Sequence, residues 1–360
     1  MDAKQKIKTP QNIVKKLLQW YGDHGRDLPW RCDDRTPYGV WLSETMLQQT
    51  TVVTVAPYYL EFLQRWPSVG DLASADLDQV LHAWQGLGYY SRARNLYKAA
   101  CIIAKDLRGE FPDNEQDLLK LPGIGIYTAA AVAAIAYEHP TTPVDGNIER
   151  VMARLFNVHE NVREKTGRQK IRDYAVQLTP EIDNRHWVQA LMDLGATVCK
   201  PKKPDCLACP LMDVCQGYKI GSPEQLPIKP PKKKRPVRYG TVYWLVQKNT
   251  GAVLLRRRPE NGLLGGMMEF PSCDWLERST PPLGPDYGEQ PIITEWRPLP
   301  GHVRHVFTHF ELRLAVVHGT VNDGLNLAEH CLWCLPDDFH NHALPTVMKK
   351  IITHVMSKIL

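Results

Sequence analysis

The chain lacks any hydrophobic run long enough to cross a membrane. Its longest stretch of small and apolar residues, 129–137, is far shorter than the roughly 20 residues that a membrane-spanning helix needs. The opening residues MDAKQKIK carry charge with no apolar segment behind them, so we expect no signal peptide. No internal repeat is visible either. A soluble protein in a reducing, cytosolic setting is therefore the expectation.

Acidic residues are missing from residues 225–259, a stretch that contains ten lysines and arginines. The net charge of the whole chain, +5, is mild by comparison. A local excess of positive charge suits a polyanionic partner, although the run at 232–235 alone is explained equally well as a solvated linker. Three further lysines, close to a group of cysteines, shift the interpretation towards nucleic acid: Lys200, Lys202 and Lys203.

The composition excludes disordered and fibrous classes, since 43% of the 360 residues are hydrophobic and 23% are charged. Short apolar stretches broken by proline and glycine predict an all-helical unit over residues 8–220. One of its helices is expected to begin at an N-capping Ser43 and to reach the neighbourhood of Pro57. A proline- and lysine-rich linker over 221–239 follows, and alternating apolar residues predict a smaller α+β domain over 240–360.

Cysteines are scattered apart from one group, which has the spacing C-x6-C-x2-C-x5-C. The other five are scattered along the chain, with Cys331 and Cys334 as the only close pair among them, and nothing suggests secretion, so a disulfide framework is not expected. Four thiolates in one short loop can wrap around a single centre, which would be either tetrahedral zinc or an iron–sulfur cluster. The spacing alone leaves both open. The candidate ligands are Cys199, Cys206, Cys209 and Cys215.

Two short motifs in the helical half carry chemistry. The turn L-P-G-I-G at 121–125 joins two helices, and its glycines and open backbone N–H groups favour a phosphate, although such turns often serve geometry alone. The motif V-D-G-N at 144–147 opens another helix. Asp145 in this motif is either a structural N-cap or a group that takes part in chemistry. An acid next to a phosphate-binding turn is repelled by the ligand, which is an argument for a chemical role, but these residues by themselves favour the N-cap.

The order of these motifs resembles the helix-hairpin-helix DNA glycosylase superfamily with an iron–sulfur loop, and within it the adenine DNA glycosylases of the MutY type. The resemblance covers nearly the whole chain. It implies an all-α glycosylase domain, with the hairpin at about 116–137 and the cluster loop at 199–215, followed by an α+β Nudix-like domain. The further matching stretches are L-P-W-R at 28–31, W-L-S-E-T-M-L-Q-Q-T at 41–50, G-L-G-Y-Y-S-R at 86–92, L-L-G-G-M-M-E-F-P at 263–271 and F-T-H at 307–309.

The resemblance implies two catalytic carboxylates. Glu44 would protonate adenine at N7 as a general acid, which requires a raised pKa in an apolar pocket. Asp145 would face the oxocarbenium-like sugar and stabilise its positive charge. Tyr127 and Asn147 would position the carboxylates and the sugar. Related lyases carry a lysine where this chain has Tyr127, and a phenol cannot form a Schiff base, so we expect a monofunctional enzyme that leaves an abasic site.

The resemblance also implies which residues bind DNA and the cofactor. The residues expected around the flipped adenine are Arg26, Arg31 and Gln189. Leu28 and Trp30 are expected to bind substrate or DNA and, with Met46, to line the apolar pocket around Glu44. Gln49 and Tyr89 match residues inserted beside the lesion strand, with Gln48 and Thr50 as DNA-binding neighbours. Gly123 and Gly125 belong to the hairpin. Contact with 8-oxoguanine is implied for Phe307, Thr308 and His309. The four cysteines would hold a [4Fe–4S] cluster.

The expected partner is double-stranded DNA with adenine opposite 8-oxoguanine or guanine, bound by a monomer. A cytoplasmic, nucleoid-associated location of the bacterial type is expected, with no membrane contact. Two other functions stay open at this stage. A non-catalytic lesion-sensing protein is disfavoured by the two intact carboxylates. A nucleotide-pool hydrolase is disfavoured because no R-E-x-x-E-E helix for magnesium follows Glu269.

Overall fold

The computed structural model describes residues 10–32, 35–231, 234–277, 290–322, 325 and 327–359. The first two residues of the predicted helical unit and residues 232–233 of the predicted linker lie outside this part of the chain. The described residues form two compact units. One is drawn from Met1–Ser74 and Lys98–Lys232, and the other from Ala75–Tyr97 and Lys233–Leu360. None of the described helices is long and apolar enough to span a membrane.

The first unit is helical, and short loops with glycine and proline separate its helices. Of the described helices that precede the sheet, the one at 77–83 belongs to the second unit and the one at 91–106 contributes to both units. In chain order the helices are α1 (Pro10–His24), α2 (Pro37–Leu47), α3 (Val52–Arg65), α4 (Val69–Ser74), α5 (Leu77–Ala83), α6 (Ser91–Asp106), α7 (Glu115–Leu118), α8 (Ile126–Tyr137), α9 (Gly146–Leu155), α10 (Lys165–Leu178), α11 (Asn184–Asp193) and α12 (Gln216–Lys219). A π-helical turn, Leu194–Val198, directly continues α11.

Helix α2 begins earlier than the sequence predicted. The N-cap is Thr36, whose hydroxyl accepts a hydrogen bond from the Gly39 N–H at 3.1 Å. Ser43 is buried in the interior of α2, so its predicted role as N-cap was wrong. The predicted helix also breaks after Leu47, and Pro57 lies inside the separate helix α3. Pro57 is the sixth residue of α3, past its first turn, so its ring nitrogen has no N–H to donate to the carbonyl one turn earlier.

The second unit is built on one sheet of eight strands. Its long central pair is parallel over eleven residues, from Val237↔Glu311 to Gln247↔Val321, and the path of the sheet runs β3-β2-β1-β7-β5. The strands are β1 (Val237–Gln247), β2 (Val253–Arg257), β3 (Met268–Glu269), β4 (Leu276–Glu277), β5 (Arg297–Pro298), β6 (Val303–Val306), β7 (Glu311–Val321) and β8 (Cys331–Cys334). The closing helix is α13 (Thr346–Ile359).

Alternation along β7 explains the core of this unit. Leu312, Leu314 and Val316 are fully buried, and they pack in one cluster with residues of α13 such as Met348 and Ile351. The intervening polar side chains of β7 point the other way, as the period of two in a strand requires. The sequence-based expectation of a half-buried strand here was therefore correct.

Segment 75–97 belongs to the second unit, although the sequence placed it in the middle of the helical domain. The physical reason is a set of polar contacts with the sheet region. Arg257 at the end of β2 forms a bidentate ion pair with Asp78 of α5. Arg94 of α6 is buried and donates to the carbonyl of Gly265. Local helix patterns contain no signal for such long-range pairs.

Candidate active site and cysteine loop

Glu44 is a buried carboxylate in the middle of α2, with 4% of its surface exposed. One of its oxygens accepts a hydrogen bond from the Tyr127 hydroxyl at 2.8 Å. Burial raises the pKa of Glu44 to about 7, the Tyr127 hydroxyl opposes that rise, and the negative charge of Asp145 adds to it. At neutral pH the group is therefore divided between acid and carboxylate, which suits a proton donor.

Tyr127 lies in the first turn of α8, directly after the glycine hairpin. Burial raises its pKa well above the usual value, and the nearby charges of Glu44 and Asp145 raise it further. The phenol consequently stays neutral over the physiological pH range. It acts on Glu44 as a hydrogen-bond donor and has no route to becoming a nucleophilic phenolate there.

Asp145 is the N-cap of α9, so the structural role considered from the sequence is present. One carboxylate oxygen accepts the N–H groups of Asn147 at 2.9 Å and Ile148 at 2.8 Å, and the other accepts the Asn147 side-chain amide at 3.0 Å. Burial raises the pKa of Asp145, while these hydrogen bonds oppose the rise. The cap also fixes the direction of a carboxylate that interacts electrostatically with Glu44.

Arg150 holds Asn147 in place, a contact that the sequence did not reveal. Its guanidinium donates to the Asn147 side-chain oxygen at 2.8 Å and to the carbonyls of Gly195 at 2.6 Å and Cys199 at 2.7 Å. Gly195 has to be glycine, because a Cβ there would lie 2.6 Å from the Cβ of Asn147. The sequence positions of Arg150 and Gly195 give no sign of these contacts, because only the packing of α9 against the turn after α11 brings their partners together.

A small cavity of about 40 Å³ adjoins Glu44 in the first unit. It is lined by Arg26, Arg31 and Gln189, the residues predicted around the adenine, and by Leu28 and Trp30, which were predicted around Glu44. A cavity of about 150 Å³ holds benzene, so the present cavity is too small for a purine. Side chains around it therefore have to move apart before a base can enter.

Asp193 fixes the two arginines of this cavity and was missed by sequence reasoning. Its fully buried carboxylate accepts two hydrogen bonds at 2.8 Å from the Arg31 guanidinium, and it also binds the side chain of Arg26 at 2.7 Å. Burial by itself raises the pKa of Asp193, but the two arginines outweigh it and hold the pKa below its ordinary value. Gln189 is anchored separately, because its side-chain oxygen accepts the Tyr21 hydroxyl at 2.7 Å.

The break between α2 and α3 presents Gln49 at the surface. Gln49 has a φ of 62°, in the left-handed region that is rare for residues other than glycine. Its neighbour Gln48 is tied down by a hydrogen bond to the Thr128 hydroxyl at 3.1 Å, and Thr50 lies near the Gln48 carbonyl. The break therefore exposes Gln49, while its neighbour Gln48 is held against α8.

The hairpin between α7 and α8 has the predicted form. Gly123 has a φ of 77°, which requires glycine, and Gly125 caps α8 without any side-chain hydrogen bond. The backbone N–H groups of the first turn of α8 are therefore left available to an anion. Both glycines lie where a phosphate-binding role would place them, and that role stays a prediction.

The four cysteines of the 199–215 loop lie within electrostatic range of one another. Burial raises the pKa of Cys209 to about 12, and the other three cysteines add to the rise. Backbone N–H groups point at the sulfurs of Cys209 and Cys215, and the Arg154 guanidinium lies 3.4 Å from the sulfur of Cys199. Such hydrogen bonds to sulfur are typical of iron–sulfur sites.

Four cysteines in one loop supply the type of ligand that an iron–sulfur centre takes, but their described side chains are not gathered around a single point. Among the described residues, no group of three or more histidine, cysteine or acidic side chains is arranged to hold a single metal ion. Arg154 also donates to the carbonyls of Lys200 at 2.7 Å and Pro201 at 3.0 Å, and so holds the start of the loop. The lysines of this loop are exposed, namely Lys200, Lys202 and Lys203.

The second unit contains a larger cavity of about 300 Å³. Four residues that the sequence assigned to the lesion strand line it: Tyr89, Phe307, Thr308 and His309. The hydroxyls of Tyr89 and Thr308 form a short hydrogen bond. Phe307 packs against His305 and Phe310, with ring centroids 4.6 and 4.8 Å apart. The Thr308 hydroxyl is therefore bound to the Tyr89 hydroxyl, and the ring of its neighbour Phe307 is packed against two others.

Glu269 does not belong to a magnesium site in the described structure. It is buried in β3, with 1% exposed, and forms ion pairs with Arg256 and Arg258. The next element after it is the short strand β4 and not a helix. Both of its oxygens are taken up by arginine, so the residue serves the packing of the sheet.

Two protein families match the chain. Residues 42–175 match the HhH-GPD superfamily of base excision DNA repair proteins, and residues 242–354 match the NUDIX domain. A solved structure of a thermostable thymine-DNA glycosylase superimposes with a TM-score of 0.54 at 29% identity, covering 59% of this chain and 98% of that one. The predicted fold class, a helical glycosylase domain followed by an α+β Nudix-like domain, is confirmed.

Curated relatives match over most of the chain. An adenine DNA glycosylase of Rattus norvegicus is 36% identical over 94% of this chain and 76% of the relative. That of Homo sapiens is 35% identical over 93% of this chain and 72% of the relative. That of Buchnera aphidicola subsp. Schizaphis graminum is 32% identical over 93% of this chain and 96% of the relative.

Proposed function

The chain belongs to the adenine DNA glycosylase family, and we propose that it excises adenine paired with 8-oxoguanine or guanine and stops at the abasic site. The family confirms the resemblance seen in the sequence. It also establishes the reaction class, which is hydrolysis of an N-glycosyl bond in base excision DNA repair. The choice of mispair, the single activity, the roles of individual residues and the cluster are our proposals.

The observation that carries the mechanism is the pair of carboxylates Glu44 and Asp145, which lie in different surroundings. Glu44, with a pKa near 7, supplies a proton to the departing adenine at N7 while the C1′–N9 bond breaks and its electrons pass to the base. General acid catalysis of this kind typically contributes a factor of about 10²–10⁴ in rate. Water then adds to C1′ and gives up a proton, so the products are adenine and an abasic sugar.

Asp145 stabilises the positive charge that develops on the sugar. Two opposite charges about 3.5 Å apart at an effective dielectric constant near 20 attract by roughly 5 kcal/mol. Half of that value still amounts to one to two orders of magnitude in rate. The cap hydrogen bonds from Asn147 and Ile148 support this role, because they favour the ionised carboxylate.

Among the described residues around Glu44, the lack of a lysine amine supports glycosylase activity without lyase activity. The position that would carry a Schiff-base lysine is Tyr127, whose neutral phenol donates to Glu44. The residues that line the adjoining cavity include arginines but no lysine. Borohydride reduction during turnover should therefore trap no protein–DNA adduct. Efficient trapping by the wild-type enzyme would overturn this part of the proposal.

We assign recognition of the opposite base to the second unit. The packed aromatic side chain of Phe307 and the hydroxyl of Thr308 line a cavity of sufficient size for a purine edge. The family commonly has serine where this chain has Thr308, so a hydrogen bond is retained with altered geometry. Thr308→Ala should reduce the preference for 8-oxoguanine over guanine, and Thr308→Ser should retain it.

The cysteine loop is proposed to hold a [4Fe–4S] cluster. The four thiolates and the N–H groups directed at their sulfurs support this assignment. The cluster would fix the exposed lysines of the loop where they can contact phosphate. Protein purified without oxygen should contain iron and acid-labile sulfide in about equal amounts, and zinc in their place would overturn the assignment.

One assay tests the proposed reaction against its alternatives. A duplex with adenine opposite 8-oxoguanine is incubated with the protein and then treated with alkali, which cleaves at abasic sites. The expected result is strand cleavage only after alkali, and its loss in Glu44→Gln and Asp145→Asn. No cleavage after alkali would favour a lesion-sensing protein. We further propose that the protein acts as a cytoplasmic monomer associated with the nucleoid.

A further inference from the structure

Tyr89 occupies a backbone conformation that its own side chain disfavours. Its φ is 47°, in the left-handed region, and it follows two glycines with positive φ, Gly86 at 104° and Gly88 at 68°. Glycine adopts such values freely, whereas a residue with a Cβ atom does so only when its surroundings impose them. Other contacts must therefore hold Tyr89 in its turn.

Arg92, one residue into α6, provides these contacts. Its guanidinium donates to the carbonyls of Leu87 at 3.0 Å and Gly88 at 3.2 Å. The same group lies over the rings of Trp84 and Tyr89, with its carbon 5.3 and 5.6 Å from the two centroids. The Trp84 indole N–H adds a third bond to the turn, at 3.1 Å from the Gly88 carbonyl.

The chemistry of these contacts is specific to arginine. A planar guanidinium can donate to two carbonyls in its own plane while its faces lie against aromatic rings, and a lysine ammonium cannot do both. Burial lowers the pKa of Arg92 to about 10, so the group keeps its charge at neutral pH. The Arg92 guanidinium is thus positively charged where it contacts the turn and the ring of Tyr89.

We propose that Arg92 is a positioning residue that sets the orientation of Tyr89 for insertion beside the base opposite the adenine. This inference rests on the proposed function, in which Tyr89 contacts the lesion strand. Arg92 itself need not touch DNA. It would affect recognition only by holding the turn at 86–89 and the ring of Tyr89 in place.

The test measures affinity for two duplexes with a non-hydrolysable adenine analogue, placed opposite 8-oxoguanine in one and opposite guanine in the other. Arg92→Met should reduce the ratio of the two affinities about tenfold, because two hydrogen bonds and two cation–π contacts are lost. Arg92→Lys should not restore it. Lys105→Met, which removes an exposed charge from the far end of α6, is the matched control and should leave the ratio unchanged.

A double-mutant cycle distinguishes positioning from a general structural role. In a Tyr89→Ala background, Arg92→Met should change the affinity ratio less than twofold. If the loss is as large in that background as in the wild type, or if Arg92→Met alone leaves the ratio unchanged, the inference is overturned. Arg92→Gln, which keeps an amide donor, replaces Arg92→Met if the latter loses its helical circular dichroism.

The wild-type protein and Tyr89→Ala separate this inference from the proposed function. If the wild type neither excises adenine nor prefers 8-oxoguanine, the proposed function fails and the inference fails with it. If the wild type shows that preference and Tyr89→Ala reduces it, failure of Arg92→Met to do the same refutes only the role of Arg92.

Discussion

Tyr127→Phe tests the proton donor directly, because it removes one hydroxyl and leaves the aromatic ring in place. The hydroxyl donates to Glu44 at 2.8 Å and stabilises the carboxylate form. Burial and the charge of Asp145 both act in the opposite direction. Without the hydroxyl, the pKa of Glu44 should therefore rise above its wild-type value of about 7.

The size of the shift follows from the strength of the lost bond. A hydrogen bond to a charged group contributes about 1.5–3 kcal/mol, and one pKa unit corresponds to about 1.4 kcal/mol. A shift of roughly one to two units is therefore expected. Glu44 donates its proton, so the rate is highest below its pKa and falls as the pH rises through it. The alkaline limb should move from near pH 7 to about pH 8–9.

The assay is the single-turnover rate of adenine excision from pH 5.5 to 9.5, with enzyme in excess over a duplex that carries adenine opposite 8-oxoguanine. Tyr137→Phe is the matched control, since it removes a hydroxyl from the other end of α8 that donates to the Phe111 carbonyl at 2.9 Å. Glu44→Gln should abolish the alkaline limb. A limb that stays in place or moves to lower pH in Tyr127→Phe would refute the assignment of Glu44 as the acid.

Three further predictions concern stability and rate. Burial of Glu44 raises its pKa from 4.5 to about 7, so its contribution to stability is present below pH 4.5 and lost as the pH rises through 7. Glu44→Gln has no such loss. In urea titrations, its unfolding free energy relative to the wild type should therefore increase by about 2–3 kcal/mol between pH 5 and pH 8. Asp145→Asn keeps a capping side chain but loses the charge, and should reduce the single-turnover rate at least about tenfold with DNA affinity retained. Gly195→Ala places a Cβ against Asn147 and should cost about 1–3 kcal/mol in thermal unfolding. Gly22→Ala, inside α1 with open space around it, should instead stabilise the protein by about 0.5–1 kcal/mol.

Sequence reasoning located the parts of the site that depend on local motifs. Asp145 and the hairpin glycines Gly123 and Gly125 stand at turns whose chemistry is visible in a few consecutive residues. Glu44 was found only through the family resemblance, because its burial depends on helices that are distant in the chain. From α2 alone it would have been interpreted as an exposed carboxylate.

Contacts between distant segments were beyond the reach of the sequence. Asp193 stands in an ordinary helical stretch, and only the fold brings it to Arg26 and Arg31. The true start of α2 was missed for a related reason. Thr36 and Ser43 are both acceptable N-caps by residue type, and the choice between them depends on which one the packing buries.

Asp145 can be both the N-cap of α9 and a catalytic group, and the combination explains why Asp145 and Glu44 take different catalytic roles. Asp145 receives three N–H donors from the start of α9, all of which favour its ionised form. Glu44 has one neutral hydroxyl donor in a more buried position, so its protonated form persists to about pH 7. Paired acids take opposite roles when their surroundings separate their pKa values. The cap hydrogen bonds oppose the burial that raises the pKa of Asp145 and so favour Asp145 as the anion and Glu44 as the acid. Removing the cap donors should therefore impair catalysis even when the carboxylate remains.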